Sequence, residues 1–173
     1  MSYFRQDLLE RLEKLDLEAS LLFETGRRFQ CVLVGGSALV LKQHVDRSTH
    51  DIDLLQVSRE LLPLLEKYDM NTNVTAHLDN FADSWPERVQ LLDSLETRKI
   101  DYFVPALEDL IISKLAAHRP QDMFDISEPN VLAQIDWHIL DELAAEVVDS
   151  MLSERQISEF KSTIDEYREK YQP

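Results

Sequence analysis

Residues 32–55 read VLVGGSALVLKQHVDRSTHDIDLL, and this stretch decides the predicted fold. The apolar run at 32–34 indicates a buried strand, which ends at a tight Gly-Gly-Ser turn at 35–37. Residues 38–45 have the composition of a short helix, so the glycines would lie at its N-terminus. Backbone N–H groups without partners at a helix N-terminus attract phosphate. The turn is therefore a candidate phosphate-binding site.

Two aspartates follow on the next predicted strand, residues 51–57. Residues i and i+2 of a strand share a face, so we expect Asp51 and Asp53 to project together while Ile52 and Leu54 point into the core. Two carboxylates on one face repel each other unless a cation lies between them. Mg2+ is the expected cation because it takes oxygen ligands and often shares them with substrate phosphates.

The same stretch resembles the signature of the nucleotidyltransferase superfamily, whose members have the polymerase-beta-like fold. That signature is a hydrophobic strand, Gly-Gly or Gly-Ser, a spacer, and Asp-x-Asp on the next strand. Here 13 residues separate Ser37 from Asp51. Residues 47–53, RSTHDID, also resemble the R-x-T-x-D-I-D motif of a bacterial subgroup. That subgroup includes the AbiEii-type abortive-infection toxins.

The resemblance implies a Mg2+-dependent enzyme that takes a nucleoside triphosphate (NTP) as substrate. It assigns catalytic roles to Asp51, Asp53 and Lys114. The residues that it assigns to nucleotide binding are Gly35, Gly36, Ser37, Arg47 and Lys114. For Arg47, a surface position or a carboxylate partner is the alternative.

Members of the superfamily usually carry a third carboxylate that completes a two-metal site. The sequence leaves its position open among Asp79, Asp101 and Asp122. Asp101 joins Asp51 and Asp53 as the expected metal ligand because it lies on a predicted strand, residues 98–103. If no third carboxylate reaches the ion, binding of one metal or loss of activity is expected.

A second informative stretch covers residues 106–126, ALEDLIISKLAAHRPQDMFDI, after Pro105. Its apolar residues recur with helical spacing, and Lys114 falls on that stripe. A lysine at a core-facing position indicates either a phosphate within its reach or a stem that snorkels to the surface. The stretch resembles a second signature of the same subgroup, and residues 85–88, WPER, resemble a W-x-E-R element of its small members.

The composition is that of an acidic globular protein, with 44% hydrophobic residues, 29% charged residues and a net charge of −15. Such a charge repels nucleic-acid backbones unless a local basic patch exists, and it suits a basic protein partner. Candidates for such a patch are Arg27, Arg28, Lys42, Arg47, Lys114, His118 and Arg119. Without a signal peptide or a membrane span, a cytoplasmic location is expected. Cys31, the single cysteine, is expected to be a buried structural thiol.

The expected fold class is α/β (α+β), with a mixed sheet flanked by helices and a C-terminal helical bundle. Apolar spacing predicts a first helix over residues 4–26 and a strand over residues 71–78. The expected domains are a core at residues 1–126 and a helical appendage at 127–173.

Two functions compete at this stage. The first is nucleotide transfer from an NTP to tRNA, another RNA or a protein, in a toxin–antitoxin or phage-defence system with a cognate antitoxin or other partner protein. The second is a nucleotide-binding or protein-interaction module of the same fold with weak or no catalysis. A helical partner protein without nucleotide binding is a third, weaker hypothesis.

Overall fold

The computed structural model describes residues 2–74, 78 and 80–173. The chain divides into two compact units. We call residues 1–75 and 89–105 the sheet unit, and residues 76–88 and 106–173 the helical unit. The predicted boundary after residue 126 differs from this division, because residues 106–126 belong with the later helices.

The described part of the sheet unit contains a four-stranded mixed sheet with the strand order β2–β1–β4–β3. The strands are β1 (Phe29–Val34), β2 (Asp53–Leu55), β3 (Gln90–Leu91) and β4 (Ile100–Val104). β1 pairs antiparallel with β2 and parallel with β4, and β3 pairs antiparallel with β4. All residues of β1 except Gln30 are buried. The mixed sheet with flanking helices confirms the predicted fold class.

The described residues of the sheet unit form three α-helices, α1 (Arg5–Leu22), α2 (Gly35–Leu41) and α3 (Leu62–Lys67), and a 3-10 helix at Arg59–Leu61. A buried carboxylate attaches α1 to the start of β4, since Asp16 accepts backbone N–H bonds from Arg98, Lys99 and Ile100 at 2.7–2.8 Å. The apolar stripe predicted on α1 is buried from Leu8 to Ala19. The helix ends at residue 22 rather than 26.

The described helical unit contains α4 (Leu107–Ala117), α5 (Pro120–Ile126), α6 (Pro129–Leu132), α7 (Trp137–Ser150) and α8 (Glu154–Tyr171). The helical pattern at 106–126 is broken at His118, whose φ of +48° ends α4, and Pro120 starts α5. Ser153 caps the N-terminus of α8, because its side chain accepts from the backbone of Gln156. Among the described helices, none combines the length and apolarity that crossing a membrane requires.

Two predicted strands differ from the structure. The strand expected at 51–57 is limited to β2, so that Asp51 precedes it. Of the strand expected at 71–78, the structure shows a single bridge from Asn71 to Asp53, and residues 75–77 lie outside the described residues.

Candidate active site

The turn after β1 brings a glycine against the carboxylate of Asp53. Val34 pairs with Asp53 across the sheet, so the register places the aspartate beside the residue that follows β1. That residue, Gly35, has a φ of +66°, and a Cβ built on it would lie 2.9 Å from Oδ2 of Asp53. Both facts require glycine, because other residues rarely adopt this φ and any side chain would meet the carboxylate.

Arg47 packs against the second glycine of the turn. A Cβ on Gly36 would lie 2.8 Å from Nη2 of Arg47 and 3.4 Å from Oγ1 of Thr49. Nη1 of Arg47 donates to the carbonyl of Ser48 at 2.7 Å, which fixes one side of the guanidinium. The turn therefore joins a carboxylate and a guanidinium, as expected where a nucleotide phosphate and its cation meet.

The third residue of the turn, Ser37, has a structural contact. Its side chain is buried and its hydroxyl donates to the carbonyl of Val34 at 3.0 Å. Since α2 has only seven residues, the close approach that the glycines allow matters more here than the helix dipole.

Asn71 holds the Asp53 carboxylate, and the sequence reasoning missed it. Its Nδ2 donates to Oδ1 of Asp53 at 2.7 Å. Its backbone is fixed to the neighbouring strand, since its N–H donates to Ile52 at 2.8 Å and its carbonyl accepts from Leu54 at 2.9 Å. The sequence contains one signal for this role: Asn71 begins the predicted strand that follows the Asp-x-Asp strand. The Asp53 carboxylate thus lies between Asn71 and Gly35.

Asp51 lies in a different setting from Asp53. It is exposed and precedes β2, whereas Asp53 is half-buried within it. The prediction that both aspartates lie on one strand is therefore wrong for Asp51. Its carbonyl accepts from Oγ1 of Thr49 at 3.3 Å, and Thr49 is bridged to Tyr3. The exposed carboxylate nevertheless remains two residues from Asp53.

The register contradicts the assignment of Asp101 to the metal site. Asp101 is aligned with Gln30 of β1, and Asp53 with Val34. Four residues of strand separate these positions by about 13 Å, and β1 lies between the two carboxylates. Asp101 instead accepts from Nε of Arg28 at 3.0 Å.

The other candidates for a third carboxylate do not complete a visible cluster. Asp79 lies outside the described residues. Asp122 belongs to the helical unit, where its carboxylate forms ion pairs with Lys114 and Arg119. Over residues 2–74, 78 and 80–173, no group of three or more His, Cys, Asp or Glu side chains could hold a metal ion.

Lys114 is buried in an ion-pair network of the helical unit. Its Nζ lies 2.8 Å from Oδ1 of Asp122 and 2.9 Å from Oδ2 of Asp125. Arg119 also donates to Asp122, at 2.7 Å. Burial favours the neutral form of Asp122, but Arg119 and Lys114 outweigh it and lower the pKa of the carboxyl. In this structure Lys114 therefore balances buried carboxylates and does not snorkel to the surface, while its predicted contact with the phosphates stays a prediction.

The WPER element also forms an internal network in the helical unit. Arg88 donates to both carboxylate oxygens of Asp109, at 2.7 and 3.0 Å, and to the hydroxyl of Ser84 at 3.0 Å. Ser84 in turn donates to Glu146 through its N–H and its hydroxyl. Burial raises the pKa of Asp109, which Arg88 opposes. The element therefore anchors the turn at 85–88 to α4 and α7.

The fold and the turn define a class, because a mixed sheet that presents Gly-Gly beside Asp-x-Asp is the arrangement of nucleotidyltransferases. A comparison with family models gives the more particular assignment. The model described as "Nucleotidyltransferase of unknown function (DUF6036)" matches residues 10–172. The chain therefore belongs to this family of the nucleotidyltransferase superfamily. Searches of curated proteins and of solved structures found no match. Membership of the AbiEii-related subgroup stays a prediction.

Proposed function

We propose that this protein is a Mg2+-dependent nucleotidyltransferase that moves a nucleotide from an NTP to a hydroxyl group of a protein or an RNA. The observation that carries the proposal is the contact between the Asp53 carboxylate and the turn at Gly35, next to the Arg47 guanidinium. This is where a cation and the phosphates that it neutralises would have to meet.

The donor set at the turn suits Mg2+. Asn71 donates to one oxygen of the Asp53 carboxylate and so orients the group toward the turn. Mg2+ is commonly bound by about one or two protein carboxylates together with substrate phosphates and water. Asp51 and Asp53 are therefore sufficient protein ligands, and a single ion needs no third carboxylate.

The glycines of the turn and the side chains beside it have separate roles in the proposed reaction. Asp51 and Asp53 would hold Mg2+, which would supply positive charge to neutralise the phosphates of the nucleotide. Arg47 supplies a second positive charge to the phosphates, and the glycines let the phosphates approach the backbone. The acceptor oxygen bonds to the α-phosphorus, the bond to pyrophosphate breaks, and the hydroxyl proton is released to solvent. Asn71 keeps the Asp53 carboxylate in one orientation throughout.

The charge of this chain favours a protein as the acceptor over non-specific RNA. The net charge of −15 repels a phosphate backbone. Several basic residues considered for a local patch are bound to carboxylates: Arg27 pairs with Glu60, Arg28 with Asp101, and Arg119 with Asp122. The R-x-T-x-D-I-D resemblance supports a role in a toxin–antitoxin or phage-defence system, in which a cognate antitoxin would be a partner.

The test is transfer of label from α-phosphate-labelled NTPs, each supplied with Mg2+ and with total RNA or lysate protein. We expect Asp53→Asn to lower transfer by about 100-fold or more, because the substitution removes a metal-binding charge while keeping the side-chain shape. The matched control is Asp93→Asn, a neutralised exposed aspartate of the same unit. Transfer that survives in Asp53→Asn would exclude this site.

The second candidate function is nucleotide binding without turnover. It is favoured by one observation: within the described residues, no third acidic side chain joins the site. Calorimetric titration of wild type and Asp53→Asn with Mg2+ and an NTP separates the two functions. Binding that depends on Asp53, together with absence of label transfer to any acceptor, would replace the enzyme by a nucleotide-binding module.

A further inference from the structure

We infer that the helical unit carries a docking cleft for a basic, amphipathic segment of a protein partner. The cleft has a volume of about 820 Å3 and is lined by described residues of this unit alone. The inference goes beyond the proposed transfer reaction and does not depend on it, because the cleft contains none of the residues assigned to the turn.

The floor of the cleft is aromatic and apolar. Phe81 and Trp85 lie with their ring centroids 5.5 Å apart, and Leu115 and Phe160 complete the floor. These four side chains are only 1–6% exposed, so they form a fixed base, and the partly exposed Leu78 and Met151 add open apolar surface beside them. Burial of the apolar surface that the lining still exposes contributes to the binding free energy of a docked segment.

Apolar surface continues from the floor to the rim. Leu152, in the link between α7 and α8, lines the cleft and its side chain is fully exposed. A small molecule held on the floor would leave this leucine in water. An amphipathic helix would cover both regions with one apolar face, which is a recurring mode of peptide recognition.

Charge selects the kind of segment that docks. Asp83 and Glu159 line the cleft, and none of the described lining residues is lysine or arginine. Arg155 pairs with Glu159 at 2.8 Å, but exposed pairs of this kind contribute little and yield to a partner. The whole helical unit has 18 acidic and 7 basic residues, a net charge of −11, against −4 for the sheet unit. This field attracts a basic peptide and repels nucleic acid.

The test uses a fluorescent synthetic helix of about 16 residues, roughly 24 Å long, with leucines on one face and lysines and arginines on the other. Two peptides of equal length serve as references. One has its basic residues replaced by glutamate, and the other has the same composition in scrambled order. We expect the basic amphipathic helix to bind at least about tenfold more tightly than either, because only it matches both the apolar floor and the acidic rim.

Variants of the protein locate the binding surface. We expect Asp83→Asn with Glu159→Gln to weaken binding about fivefold and Leu152→Ala to weaken it about threefold. The matched control is Glu142→Gln with Glu169→Gln, which removes the same charge from exposed positions outside the cleft lining. Asp53→Asn should bind the peptide like wild type, so failure of the transfer assay leaves this result unaffected.

Three outcomes would overturn the inference. The scrambled peptide could bind as tightly as the amphipathic one, which would reduce the effect to net charge. The control double variant could weaken binding as much as the cleft variants. A single-stranded RNA could displace the peptide competitively from the cleft, which would make this surface a nucleic-acid site.

Discussion

The two units place the charged residues of their motifs in different surroundings. In the sheet unit, an aspartate and an arginine meet at a glycine turn, and one of the two aspartates of the motif is exposed. In the helical unit, Lys114 and Arg88 are bound to the buried carboxylates of Asp122, Asp125 and Asp109. The comparison shows that the role of a charged motif residue can be inferred only when the groups that it contacts are known. We therefore expect substitutions in the sheet unit to affect catalysis first, and those in the helical unit to affect stability first.

The largest expected effect on stability comes from Lys114→Met. The substitution leaves two buried carboxylates without this cation, and breaking a buried pair costs about 3–5 kcal/mol of unfolding free energy. Urea denaturation of the variant measures the loss. Lys161→Met, on an exposed lysine of α8, is the control and should change the unfolding free energy by less than about 0.5 kcal/mol. A fully stable Lys114→Met protein with a raised KM for NTP would contradict this prediction and would support a phosphate-binding role for Lys114.

The same network has a defined pH dependence. Because the folded pKa of Asp122 is lowered, its ionised form stabilises the fold above the unfolded pKa of about 3.9. That contribution is lost as the pH falls through the folded pKa. The difference in unfolding free energy between wild type and Lys114→Met should therefore be largest near neutral pH and narrow below about pH 4. A constant difference across this range would show that the charge of Lys114 is not what stabilises the unit.

The next largest effect is expected for Gly35→Ala. The substitution costs about 1–2 kcal/mol for a left-handed backbone at a non-glycine residue. It also places a methyl group 2.9 Å from Oδ2 of Asp53, so the carboxylate must move and transfer should fall about 100-fold.

Gly36→Ala is the matched comparison for Gly35→Ala. It should destabilise less, because Gly36 has no positive φ and its neighbour is the end of the flexible Arg47 side chain. Thermal unfolding and label transfer measure both variants. Equal losses in the two variants would contradict the special role of the contact with Asp53.

Asn71→Ala should have a smaller effect. Loss of one hydrogen bond costs about 1 kcal/mol of stability, and the freed carboxylate should lower kcat about tenfold. Calorimetric titration with Mn2+ gives a readout independent of turnover, and we expect weaker ion binding. Asn73→Ala, on a nearby exposed asparagine, is the control. An unchanged Mn2+ affinity in Asn71→Ala would exclude a positioning role for this residue.

The smallest expected effect concerns Cys31, at the centre of β1. Burial raises the pKa of its thiol to about 12, so the reactive thiolate is scarce near neutral pH. A thiol reagent should therefore label it only after denaturant unfolds the sheet unit. Rapid labelling of the native protein would show that β1 opens on its own.

The sequence predicted the fold class and the glycine turn because both follow from local patterns. The run at 32–34, the glycines and the aspartates that follow are close together along the chain, and the sheet register brings Asp53 back to Gly35. The apolar stripe on α1 is likewise a local pattern.

The errors arose where the answer depends on partners far along the chain. Asp101 looked like a strand carboxylate, but its distance from Asp53 depends on which strand lies between them. Asp51 lies before β2, in a segment where Thr49 is bridged to Tyr3, and the local sequence pattern does not show this pairing. The core-facing position of Lys114 suggested an anionic partner, but the sequence pattern did not show that α5 supplies it. Asn71 was not predicted because the role of a neutral amide depends on its hydrogen-bond partner, and the sequence does not reveal that this partner is Asp53.

The most direct test of the central claim is paramagnetic broadening by Mn2+, added in place of Mg2+ to isotope-labelled protein with a non-hydrolysable NTP. We predict that the amide signals of Gly35, Gly36 and Asp53 broaden at the lowest Mn2+ concentration, whereas those of Gln30 and Asp101 broaden last. The effect should disappear in Asp53→Asn. Broadening that begins at Asp101, or that persists unchanged in Asp53→Asn, would contradict a cation site at the glycine turn.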